Sequence, residues 1–232
     1  MKWVVGIFIA LLILTVSPVL VLRWIDPPTS AFMLQHKMSS LFNKSSSGAV
    51  HHRWEDWRRI SPHAPLAVVA AEDQKFPHHW GFDRESIAEA WQERRKGVRY
   101  RGASTITQQV AKNLFLWNGK SFFRKGIEAY FAVLIELLWS KQRILEVYLN
   151  VAEFGKGVYG IGAASRRYFY KPPRRLRRYE CALLATVLPN PKRMRLDQPS
   201  DYMIQRALSI LEEMSRLDRL QRRPYLYKLY AR

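Results

Sequence analysis

The stretch WVVGIFIALLILTVSPVLVL, Trp3 to Leu22, sets the first limit on this chain. It holds 20 residues and no charge. As a helix rising about 1.5 Å per residue, it matches the roughly 30 Å hydrocarbon layer of a bilayer. Lys2 precedes it and Arg23 follows it. A cleavable leader has a shorter apolar core and a small-residue cleavage site. This run is longer and shows no clean A-x-A, so residues 1–25 read as an uncleaved membrane anchor. The lone Lys2 is a weak pointer to a cytoplasmic N-terminus.

Composition matters next. Of the 232 residues, 48% are hydrophobic and 13% aromatic, enough for a sizeable core and too much for a disordered chain. The formal charge is +19, from 38 Lys and Arg against 19 Asp and Glu. That excess calls for a polyanionic counterpart: nucleic acid, anionic lipid or a phosphate-bearing substrate. Cys181 is the single cysteine, which excludes an intrachain disulfide. Its apolar context, Cys181 to Leu184, reads as a buried structural thiol.

Asp26-Pro27-Pro28 ends the anchor, and residues 26–50 read as a juxtamembrane linker. Within it KSSSG, Lys44 to Gly48, has the composition of a flexible tether. From about residue 51 to 232 helical periodicity dominates, with no long alternating strand and no internal repeat. The fold class is therefore mainly α. Pro65 suits the first turn of a helix through LAVVAA, and Asp83 and Ser104 suit N-caps of two more. A long helix is expected over Arg124–Trp139. The next opens at Ser140, and an amphipathic helix spans Asp201 to about Leu220.

Three stretches carry chemistry. In RGASTITQQVAK, a helix capped by Ser104 places Thr105, Gln109, Lys112 and Asn113 on one face. Gly102 allows a sharp turn ahead of it. A face of neutral donors and acceptors suits a ligand rich in hydroxyls and amides, a sugar or a peptide; a solvated helix face fits equally. In AEDQKFPHHWGFD, Glu72 and Asp73 end an apolar helix. Burial and the helix dipole both push carboxyl pKa values up there, as a general base near neutral pH requires. The spacing of His78, His79 and Asp83 fits no strong metal pattern, and His79 reads as a loop-holding hydrogen-bond partner. In RKGIEAYFAVLIELLWSKQ, Glu128 sits in an apolar helix with Arg124 four residues before it and Lys125 three before. This is either a structural ion pair or the charged floor of a cleft.

In order, EDQKFPHHWGFD, RGASTITQQVAKNLFL, RKGIEAYFAVLIE, KQRILEVYLN and FGKGVYGIGAASRRYFYK resemble the five blocks of the peptidoglycan glycosyltransferases. That domain family is shared with class A penicillin-binding proteins. The blocks cover much of Glu72–Lys171, with related sequence on to Leu183–Arg193. With no room for a transpeptidase domain by residue 232, the chain is similar to the monofunctional, membrane-anchored branch, the biosynthetic transglycosylases. The resemblance implies a lysozyme-like, two-lobed glycosyltransferase domain over residues 51–232 behind one transmembrane helix. It implies polymerisation of lipid II into β-1,4-linked glycan with inversion and release of undecaprenyl diphosphate.

By block matching, Glu72 carries the general-base role and Glu128 is the second catalytic carboxylate, near the donor diphosphate. Arg124 and Lys125 match cations beside it. Asp73, His79, Ser104, Thr105, Gln108, Gln109, Lys112 and Asn113 carry over as substrate-cleft residues. No tightly bound cofactor is implied, with Mg2+ or Mn2+ as an assisting ion. The implied partners are lipid II, the growing strand, anionic membrane lipid and other cell-wall synthesis or division proteins. The implied place is the bacterial inner membrane, with the catalytic domain on the periplasmic side. The basic, aromatic run RRYFYKPPRRLRR, Arg166–Arg178, suits a headgroup layer or a solvated face.

Two rival classes remain at this level. A muramidase or lytic transglycosylase would cut the same polymer, but needs neither GASTITQQ nor RK-x-x-E. A membrane-tethered nucleic-acid binder would use the charge, but no nucleic-acid motif is present, and that reading gives the two glutamates no role.

Overall fold

The computed structural model describes residues 2–42, 49–95, 104–119 and 121–220. Gly102 and the tether Lys44–Gly48 lie outside them. The chain opens with α1, Lys2–Val21, which is exposed over nearly its whole length. Thr15 and Ser17 return their hydroxyls to the carbonyls of Leu11 (2.9 Å) and Ile13 (2.6 Å). Both hydroxyls are thereby satisfied within the helix itself.

The expected linker is helical over much of its length. Helix α2, Ala31–Phe42, begins where Ser30 Oγ accepts from Met33 N (3.2 Å). Met33 is buried, and Gln35 ties the helix to the chain beyond the second sequence block. Its amide donates to Leu116 O (3.0 Å) and accepts from Asn118 N (2.8 Å). Buried Met33 and half-buried Phe32, both packed on the core, make this a docked element rather than a free spacer.

Strand β1, His51–His52, comes next, followed by α3, His63–Glu72, and α4, Arg84–Arg95. Then come α5, Ile106–Phe115, α6, Phe122–Leu138, and α7, Lys141–Val151. Two short strands, β2 (Glu153–Gly155) and β3 (Val158–Tyr159), lead into α8 (Gly160–Phe169), α9 (Arg178–Thr186) and α10 (Asp201–Leu220). The strands form one small sheet in the order β1-β3-β2, with β1 parallel and β2 antiparallel to β3.

Helix α3 is the hub. Ala64 to Ala70 are all buried, because α9, α10 and α7 pack around them. An evenly apolar helix can satisfy itself only in such a position. Most of the expected caps form: Asp83 Oδ1 accepts from Ser86 N (3.0 Å) and Ser140 Oγ from Arg143 N (3.2 Å). The long helix starts two residues ahead of Arg124, capped by Ser121, and ends at Leu138. The cap of α5 differs from expectation. Thr105, not Ser104, holds it, in a reciprocal capping box with Gln108. Only Thr105 has a glutamine three residues on; Ser104 would face Thr107 there.

Blocks four and five meet at a close backbone junction. Asn150 accepts from Glu55 N (2.8 Å) and donates to Glu55 O (2.9 Å). Gly160, at φ +80°, lies so near that a Cβ would stand 2.6 Å from Asn150 O, and one on Gly162 would meet Arg53 O at 2.3 Å. Only glycine fits either place.

Helix α1 is seated on the domain. Trp139 Nε1 donates to Val19 O (2.7 Å), and the hydroxyls of Thr15 and Tyr130 are 2.8 Å apart. Arg143 donates to Leu22 O and Ile25 O and pairs with Asp26 at 2.8 Å.

Candidate active site

Glu72 is the last residue of α3, and Asp73 follows as its C-cap. The two carboxylates have different surroundings. Glu72 is half-buried, and its Oε2 accepts from Gln109 Nε2 (2.8 Å). Burial pushes its carboxyl above the usual glutamate range. The Gln109 hydrogen bond and the charges of Arg206 and Lys112 pull the other way, and Asp73 adds to the rise. Burial thus leads the shift expected for Glu72.

Asp73 is buried and fully engaged. Oδ1 lies 2.8 Å from His79 Nε2, and Oδ2 accepts from Ile106 N (3.0 Å). It therefore locks the loop after α3 to the N-terminus of α5, where a carboxylate meets free N–H groups and the positive helix end. His79 serves as the loop-holding partner the sequence implied.

The α5 face divides. Thr105 is buried and consumed by structure: its hydroxyl donates to Gly81 O (2.6 Å) and accepts from Gln108 N, while Gln108 Oε1 accepts from Thr105 N (3.1 Å). The neutral pair of the motif thus builds the helix start rather than an open ligand surface. Gln109, Lys112 and Asn113 remain on the half-buried side. Lys112 stacks near the Phe32 ring (5.6 Å). Burial holds its ammonium below the usual lysine range; Glu128 and Glu72 oppose this, while Arg124 and Lys125 add to it. One lysine thus lies within electrostatic reach of both glutamates.

On α6 the cluster forms as expected. Glu128 is buried; Oε2 accepts from Arg124 Nη1 (2.6 Å), and Oε1 meets Lys125 Nζ. Lys125 also donates to Ser104 Oγ (3.2 Å), which joins α6 to the start of α5. Arg124 Nε donates to Gly119 O (2.8 Å). Two cations on one carboxylate leave this cluster a net positive charge, suited to a diphosphate.

Several residues at the site have no role assigned from the sequence, although Glu136 ends the third block and Lys141 and Tyr148 lie in the fourth. Tyr148 O–H donates to Gln109 Oε1 (3.0 Å). Arg206 donates to Ala71 O (3.3 Å), beside Glu72. Glu136, buried on α6, accepts from Thr107 (2.6 Å) and Lys141 (2.8 Å), and Lys141 also donates to His79 O (2.7 Å). Their periodicity reads as ordinary helix, and only the fold brings them to the carboxylates. The basic run Arg166–Arg178 is partly neutralised: Arg166 pairs with Glu55, Lys171 with Glu180 and Arg178 with Asp218. Arg167, Tyr168 and Tyr170 line an open depression of about 480 Å³ with Lys156, Lys192 and Arg195; none of the candidate residues borders it.

Among the described residues no group of three or more His, Cys, Asp or Glu side chains could hold a metal ion. The carboxylates of the site are already bound to Gln109, His79, Ile106 N, Arg124 and Lys125. They form no protein-only cage for an ion.

A mainly helical domain with two unlike carboxylates and a cationic cluster has the parts of a glycosyl-transferring enzyme. The transglycosylase family model matches residues 39–215, and the chain belongs to that family. Its domain has the lysozyme-like glycosyltransferase fold. It is 49% identical to the biosynthetic peptidoglycan transglycosylase of Shewanella oneidensis over 93% of this chain and 90% of that one. For the proteins of the same name from Pseudomonas putida F1 and Aeromonas hydrophila the identities are 52% and 48%. They cover 86% and 92% of this chain, and 84% and 90% of theirs. The protein is a glycosyltransferase of peptidoglycan synthesis.

Proposed function

We propose that the protein polymerises lipid II at the membrane surface, with Glu72 as general base and Glu128 as organiser of the leaving-group site. The contrast between the two glutamates carries this reading. Burial raises the pKa of Glu72, and one neutral donor bonds it, whereas Glu128 is held by two cations. Glu72 takes the proton of the acceptor's 4-hydroxyl. That oxygen bonds to the anomeric carbon of the growing chain as the bond from carbon to undecaprenyl diphosphate breaks. Attack from the face opposite the leaving group inverts an α donor to a β-1,4 product. Arg124, Lys125 and Lys112 neutralise the departing diphosphate. A divalent ion, Mg2+ or Mn2+, would supply further charge neutralisation there.

The anchor supports a membrane setting. The span Lys2–Val21 is long and apolar enough to cross a bilayer. The Thr15–Tyr130 contact lies six residues before the end of α1, so α6 runs beside the span roughly 9 Å below its end. Exposed Phe122, Phe123, Tyr130, Val133 and Leu137 on that helix, with Trp24 nearby in sequence to the span's end, would sit among headgroups and upper acyl chains. The catalytic domain would then face the periplasm, where other wall-building or division proteins have access to it.

Purified protein in detergent is incubated with labelled lipid II beside Glu72→Gln. Lysozyme-digestible polymer from the parent and none from the variant is the expected result. Shortening of preformed glycan without polymerisation would transfer the chain to the hydrolytic class.

A further inference from the structure

We infer that Tyr148 is a positioning residue for the reaction: its hydroxyl fixes the Gln109 amide, and that amide aims the Glu72 carboxylate. This inference rests on Glu72 being the base. Three groups from three helices form one directed chain. Tyr148 O–H, from α7, donates to Gln109 Oε1 at 3.0 Å; Gln109 Nε2, from α5, donates to Glu72 Oε2 at 2.8 Å; Glu72 ends α3.

The order of donors leaves little freedom. Tyr148 is 1% exposed, so its hydroxyl needs a partner inside the protein. It lies near Glu72 and Asp73, and burial followed by their charges drives its phenol well above the usual tyrosine range. It therefore stays protonated and acts as donor. A glutamine amide that accepts at oxygen presents its N–H2 on the other side, toward Glu72. Donation into the carbonyl also polarises the amide and strengthens its own N–H donor. The hydrogen bond favours the carboxylate form, against the burial that raises its pKa. The base is thus partly desolvated with its carboxylate form supported by one bond, one oxygen pinned and the other available to an acceptor hydroxyl.

Tyr148→Phe deletes one oxygen from a packed core and leaves the ring. Without its partner, Gln109 Oε1 turns to find another donor, and Glu72 loses a directed bond. Lipid II polymerisation by Tyr148→Phe should show kcat down about tenfold at neutral pH with KM unchanged. Its acid limb should move to higher pH. Gln109→Leu should show the same limb movement, and the double variant should be no slower than Gln109→Leu alone. Glu72→Gln is run alongside.

If Glu72→Gln keeps the parent's rate, the base assignment fails. If Glu72→Gln is inactive while Tyr148→Phe keeps the parent's kcat and pH profile, the positioning role fails and the base assignment stands. If Tyr148→Phe slows the reaction with an unmoved pH limb, or adds to Gln109→Leu in full, the tyrosine acts only through packing and the inference is overturned. Should Tyr148→Phe not fold, the limb of Gln109→Leu decides: an unmoved limb removes the amide's hold on Glu72.

Discussion

Glu72 and Glu128 share a residue type and differ in the groups that bond them directly. For Glu72 the sign of the pH effect follows from burial. A base must be ionised, so activity should fall on acidification along a limb above that of a free glutamate; a limb at the free-glutamate position in the pH–rate profile would remove the tuned base. Stability runs the other way. A carboxyl pKa raised by folding contributes stability that is complete below the unfolded value and lost as pH rises through the folded one. Glu72→Gln should therefore unfold no lower than the parent at neutral pH, with any advantage shrinking as acid is added, as measured by calorimetry. Around Glu128 the two cations should separate. Arg124 is buried with its partner, side chains 9% and 3% exposed, while the Lys125 side chain is 43% exposed. Arg124→Ala leaves a buried carboxylate short of a partner and should cost about 3–5 kcal/mol, a Tm drop on the order of 10 °C. Lys125→Ala should cost less than about 1 kcal/mol yet lower kcat.

At the scale of elements, the site is built by helix ends. The C-terminus of α3 delivers Glu72, and the N-terminus of α5 receives Asp73 and is closed by Thr105 and Gln108. Thr105→Ala removes the cap and the bond to Gly81 O together. The expected loss is about 2 kcal/mol in denaturant unfolding, with activity falling further because the Asp73 loop loosens. Thr105→Ser keeps both bonds and should recover most of each. Ser104→Ala should lose only the bond from Lys125, about 1 kcal/mol or less, since the cap belongs to its neighbour; a loss equal to that of Thr105→Ala would contradict the capping assignment.

Across the whole molecule, charge and anchor act together. A net +19 and a seated apolar helix favour one orientation at an anionic surface. A variant starting at residue 27 should still bind vesicles containing phosphatidylglycerol. That binding should weaken several-fold between low and physiological salt, while full-length protein in the same vesicles resists salt extraction. The truncated form should also unfold at lower temperature, because Trp139, Tyr130 and Arg143 lose their bonds to the anchor. Salt-independent flotation of the truncated form would assign the attachment to the exposed aromatic side chains of α6 instead.

Much of this was legible beforehand, for local reasons. The long apolar helix α1 follows from an uncharged run, the helix class from periodicity, the caps at Asp83 and Ser140 from short-range chemistry. The Glu128 cluster follows from i, i+3 and i, i+4 spacing, which one helix enforces by itself. The α5 cap falls one residue after the serine the sequence favours, at Thr105, where the Thr105-x-x-Gln108 spacing allows a reciprocal box. The α2 docking was hidden because its partners, Leu116 and Asn118, lie some eighty residues on. Tyr148, Arg206, Lys141 and Glu136 reach the site from turns of α7, α10 and α6 that look like any buried or solvated helix. A linear pattern records which side chains share a face of one helix. Which faces then meet, and so which carboxylate is dried and which is neutralised, depends on packing between segments far apart in the chain. That is why Glu72, Glu128 and the two cations of Glu128 could be found from the sequence, while the bonds that fix Glu72 came only from α5, packed on α6 and α7, meeting the end of α3 at Asp73 and Gln109.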